Sequence, residues 1–136
     1  MPACAQRSPR SLTLAALLVA ALLPGCFLAA AGAGAGGAIY VTSRGAESLV
    51  DASVNDVADA IEQTFAAEGI EVTKTETERG GDEREIQGQK GDLDVTVRFE
   101  REAPGTTKVE VTARENLAEW DKDYAKRVLQ RIVERS

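Results

Sequence analysis

The clearest order in the chain lies between Leu93 and Phe99, where Leu93, Val95, Val97 and Phe99 are separated by Asp94, Thr96 and Arg98. A period of two puts the apolar residues on one side of a strand. Val109, Val111 and Ala113 repeat the pattern between Lys108, Glu110, Thr112 and Arg114. The intervening Ala103-Pro104-Gly105-Thr106 suits a type II turn, so the two stretches predict a hairpin. Upstream, Ile70 to Glu78 predicts a strand and Arg84 to Lys90 a weaker one around Ile86, with breaks at Gly80-Gly81 and Gly91-Asp92. A short strand over Glu47 to Val50 can add to one edge.

Elsewhere the period lengthens. In VNDVADAIEQTFAAEG, Val54, Val57, Ala58, Ile61 and Phe65 recur at three and four, Ser53 with Asp56 forms a capping-box-like pair, and Gly69 supplies the stop. This predicts an amphipathic helix over about 54 to 68. Tyr124, Ala125, Val128, Leu129, Ile132 and Val133 draw a second stripe on a helix opened by Asp121 or a neighbour. Elements with one apolar side each must bury it against one another. The expectation is an α+β fold: a two-layer sandwich of order (β)αββββα, with two amphipathic helices on one face of an antiparallel four- to five-stranded sheet. The sheet's other face is charged and should be wet.

The first part of the chain follows neither rhythm. Residues 1 to 11 hold Arg7 and Arg10 and no acid, Leu12 to Leu23 are almost wholly apolar, and Pro24-Gly25 precede Cys26. That is the order of a signal peptide. Leu23-Pro24-Gly25-Cys26 resembles the bacterial lipobox, in which a branched aliphatic residue, a small residue and Gly or Ala precede the cysteine that receives diacylglycerol; Pro24 stands where Ala, Ser or Thr is more usual. The resemblance implies cleavage between Gly25 and Cys26 and lipidation of Cys26. Two rivals are an uncleaved helix from Leu12 to Val41, which Pro24-Gly25 and the following glycines would weaken, and ordinary secretory cleavage near an alanine. The expected organisation is therefore a signal peptide over 1–25, an apolar Ala/Gly-rich tether over 26–44 and an α+β domain over 45–136. Gly32 and Gly36 have the spacing that lets helices approach closely in lipid, so the tether reads either as a compliant linker or as a short self-associating segment.

Composition narrows the chemistry. Sixteen basic residues stand against 22 acidic ones, a net charge of −6, and Arg7 and Arg10 lie ahead of Cys26, so the remainder is more acidic still. Nucleic acid is a poor partner for such a surface. The chain has no histidine, the commonest metal ligand and neutral-pH base, and only two cysteines, Cys4 and Cys26. No disulfide and no cofactor are expected.

Taken together, the lipobox, the Ala/Gly block, the helix ending in E-G-I-E-V, the I-Q-G of Ile86 to Gly88, the V-T-V-R-F hairpin with T-K-V-E-V and the terminal R-V-L-Q-R-I resemble a family of small bacterial lipoproteins of unknown function. The resemblance implies fold and address but no activity. Members often carry Gly-Asp before the last helix, where this chain has Asn116-Leu117-Ala118-Glu119-Trp120-Asp121.

Candidate sites are few. Asp92 with Asp94 and Asp121 with Asp123 are close carboxylate pairs, but they lack the alternating ligand pattern of a calcium loop and are better read as turn and helix-start charges. Lys122, Lys126, Arg127, Arg131 and Arg135 give the last helix a basic face that could meet anionic lipid, or simply stabilise the helix end. Trp120, the single tryptophan, is expected to cover the end of the core, the alternative being an exposed anchor for a partner. The functional expectation is a non-catalytic binding or scaffolding module, moored to membrane lipid through acylated Cys26 in the cell envelope, at the outer membrane or periplasmic face in a Gram-negative cell, with an envelope protein as possible partner. The alternatives are an accessory hydrolase using surface carboxylates and a component that self-assembles through the Ala/Gly segment.

Overall fold

The computed structural model describes residues 37–136. The chain runs β1 (Ile39–Val41), β2 (Gly45–Val50), α1 (Val54–Glu68), β3 (Glu71–Glu78), a 3-10 turn (Arg79–Gly81), β4 (Glu83–Lys90), β5 (Leu93–Ala103), β6 (Thr106–Glu115), β7 (Glu119–Trp120) and α2 (Lys122–Arg135). The strands form one antiparallel sheet in the order β1-β2-β6-β5-β4-β3, and β7 pairs with the end of β6. The α+β class and all four strands between the helices are as the patterning predicts. The sheet has seven strands rather than four or five. The additions, β1 and β7, are three and two residues long, too short to display a period. β1 also draws Ile39 to Val41, read from the sequence as the end of the tether, into the sheet.

Register explains why one face of the sheet is apolar. Ile86, Val97, Val111 and Ala46 lie in a row across β4, β5, β6 and β2. Phe99, Val109 and Ser48 form a neighbouring row, and Gly88, Val95 and Ala113 a third. These residues are buried together with Val57, Ile61 and Phe65 of α1 and Tyr124, Val128, Leu129 and Ile132 of α2. Each buried aliphatic or aromatic side chain contributes about 1.5–3 kcal/mol to holding helices and sheet together.

Capping fixes where the helices begin and end. The Ser53 hydroxyl accepts from the Asp56 amide at 3.2 Å and donates to the Asp56 carboxylate at 2.6 Å. Gly69, at φ +68°, closes α1 in the left-handed region that glycine enters without strain. Asp121 accepts from the Tyr124 amide at 2.8 Å and opens α2. Between Val50 and α1 the buried Thr107 hydroxyl donates to the Ala52 carbonyl at 2.8 Å, pinning the helix entry to β6.

Gly88 is a close-approach glycine. A Cβ there would stand 2.6 Å from Ile70 Cγ2 and 2.8 Å from Phe65 Cε2. Gly88→Ala should therefore lower stability by about 1–3 kcal/mol in urea denaturation, because neither core side chain can withdraw without opening a gap. The buried Tyr124 hydroxyl, by contrast, has no hydrogen-bond partner among the described residues. Tyr124→Phe should be neutral or stabilising by up to about 1 kcal/mol in the same assay, since it removes an unsatisfied polar group without changing the ring's packing.

Candidate functional site

The face of the sheet turned away from the core carries most of the chemistry. One row of paired residues crosses six strands: Glu76, Glu85, Arg98, Glu110, Glu47 and Tyr40. Directly opposed carboxylates would repel, and cations interleave them. Lys74 lies 2.8 Å from Glu76, Arg98 donates to Glu85 at 2.7 Å, and Lys108 is 3.8 Å from Glu47. Glu85 also accepts from Gln87 at 2.6 Å. The Gln87 hydrogen bond, reinforced by Arg98 against partial desolvation, holds the Glu85 carboxyl below the usual range.

Toward the β3–β4 side, Glu76, Glu78, Glu83 and Glu85 line an open groove of about 170 Å³ with Arg84 and Arg98. A general acid at neutral pH needs a raised carboxyl pKa. Glu85 is shifted the other way, away from that requirement. Among the described residues no group of three or more His, Cys, Asp or Glu is placed to hold a metal ion.

At the opposite side of the same face stands Trp120. It pairs with Arg114 across β6 and β7, which places it on the charged face and not over the core. The Arg114 and Arg44 guanidinium carbons lie 5.8 and 5.7 Å from the ring centroid, within cation–π range. Asp94 is 3.9 Å from Arg114. The expectation that Trp120 covers the core end fails because β7 extends the sheet by two residues and its pleat turns the indole outward. Arg44 and Arg114 escaped sequence reasoning: nothing in their spacing signals that a two-residue strand will bring Trp120 between them.

The basic residues of α2 have different surroundings. Arg131 bridges to Glu68 of α1 at 2.8 Å, and Arg135 donates to the Arg131 carbonyl at 3.1 Å and to Thr64 at 3.5 Å. Arg127 and Lys90 lie 5.4 and 5.6 Å from the centroid of the Tyr124 ring. Lys122 lines a shallow cleft with Val41, Trp120 and Asp123, and Lys126 is exposed. Asp121 caps its helix, as its position suggests. Gly25 and Cys26 lie outside the described residues. Among those residues no helix is long and apolar enough to cross a membrane.

Because the Glu85 pKa is lowered in the folded state, its contribution to stability is complete above the ordinary carboxylate range and is lost as pH falls through that range and below. Glu85→Gln should accordingly show a shallower loss of stability than wild type between neutral pH and about pH 3 in thermal melts.

A family model described as a protein of unknown function, DUF3568, matches residues 11–134. The chain belongs to that family. No curated protein matches it.

Proposed function

We propose that this member of the DUF3568 family is a lipid-anchored protein of the cell envelope, in which a non-catalytic α+β module binds or scaffolds a partner at a membrane surface. The observation that carries the reading is the order of Arg7 and Arg10, the apolar run from Leu12 to Leu23, and Gly25-Cys26, followed by a domain whose sheet has one charged face that no helix covers among the described residues. The family match over residues 11–134 includes the apolar run and Cys26. Diacylation supplies enough buried methylene to make attachment effectively permanent, at about 0.8 kcal/mol each, without a protein span. The moored module then presents a row of alternating charge, a surface suited to recognising a partner by complementarity.

A hydrolase reading gains from the four carboxylates of the β3–β4 groove, but the downward shift of Glu85 and the groove's openness to solvent favour the binding module. The test is metabolic labelling with a fatty acid. Wild-type chain should carry label and fractionate with membranes, whereas Cys26→Ser should carry none and keep the mass of the full precursor. Unlabelled wild-type chain at precursor mass would sink the proposal.

A further inference from the structure

Six large hydrophobic side chains are exposed among the described residues, and only Val72 lies on the β3 side of the sheet. The other five are strung along the opposite edge, from Leu49 opposite Lys108 to Trp120 opposite Arg114; Tyr40, Leu49 and Trp120 are on the charged face, and Val41, paired with buried Ala46, is on the other. Tyr40 and Leu49, 54 and 48% exposed, line one shallow depression with Glu47 and Lys108. Val41, 56% exposed, shares a cleft with Trp120, and Leu117 projects from the turn between β6 and β7. Arg44 sits on the Trp120 ring and has no carboxylate partner within 4 Å among the described residues. The same edge is where the chain enters the fold: β1 follows directly on the apolar stretch Phe27 to Ala38.

We infer that this edge, with Tyr40, Val41, Leu49 and Trp120 as its apolar contacts, rests in the headgroup layer of the bilayer to which the chain is anchored. The inference rests on the lipid-anchor reading and adds an orientation to it. Tyrosine and tryptophan are the side chains that favour this layer, because each joins an apolar body to a polar tip. Arginine beside them can reach lipid phosphate while its stem stays on the indole. The contact is apolar in character and not polybasic, since Glu47, Glu115, Glu119 and Asp121 accompany Arg44, Arg114 and Lys108 along the edge. A zwitterionic bilayer therefore suffices. Settled this way, the domain stands with its β3 edge and the acidic β3–β4 groove directed away from the lipid, open to a partner.

Trp120 is the only tryptophan in the chain, so its emission reports this edge alone. The experiment places the full chain, isolated from membranes with its anchor, in phosphatidylcholine vesicles with and without a fraction of lipid spin-labelled near the carbonyl level. Trp120 emission should fall roughly twofold with the shallow label, as expected for an indole at headgroup depth. The Tyr40→Ser/Leu49→Ser variant should lose most of that quenching while still sedimenting with the vesicles and melting as wild type does. If wild-type chain sediments but the label leaves its emission unchanged, the anchor stands and the proposed orientation is overturned, leaving the edge to a protein partner or a second copy. Chain that remains in the supernatant would remove the anchor reading, and this inference with it.

Discussion

The seat of Phe65 against the backbone of Gly88 governs how closely α1 can approach the sheet. Because β4 has no side chain at that point, the ring and Ile70 occupy the space a Cβ would need. α1 then lies low enough for Val57 and Ile61 to reach the sheet's apolar rows, and α2 closes beside it with Val128, Leu129 and Ile132. The residues between the helices are spent on four long strands, and both helices serve the same side. Everything distinctive about the other side follows, since among the described residues no element remains to cover it.

An uncovered sheet face must be soluble without being repulsive. The row from Glu76 to Glu47 contains more acids than bases, and Lys74, Arg98 and Lys108 prevent the opposed carboxylates from meeting unscreened. Exposed pairs of this kind are worth little individually. Their value lies in register, because slipping one strand by a single residue would turn Val97 outward and Arg98 into the core. Charge and hydrophobicity thus specify the same alignment twice.

How legible this was depended on length. Strands of eight to eleven residues and helices of fourteen and fifteen show their period, and the cap at Ser53, the stop at Gly69 and the stripe of α2 could be read from residue order alone. β1 and β7 could not. Ile39-Tyr40-Val41 follows an alanine and glycine block and takes its strand character from pairing with Ala46 to Ser48, over too few residues to show a period. Glu119-Trp120 is a strand only because β6 runs past the end of β2 and leaves Arg114 and Glu115 free to pair. These two short strands assemble the edge that bears Trp120, so the least readable elements carry the most suggestive surface. For the basic residues of α2, helical spacing reveals that Arg131 and Arg135 are cationic neighbours, but not that Glu68 and Thr64 of α1 will engage them.

β1 has a mechanical meaning as well. It joins β2 through a tight turn in which the Thr42 hydroxyl accepts from the Gly45 amide at 3.1 Å, and its first residue, Ile39, faces Ser48. Force applied to the chain ahead of Ile39 would open the three pairs in succession from the free end, like a zip, instead of loading them all in shear. The strand could peel away and free a few more residues of chain ahead of β2 while the buried rows of β2, β6 and β5 stayed closed, so that a pull on that segment would be absorbed before it reached the core.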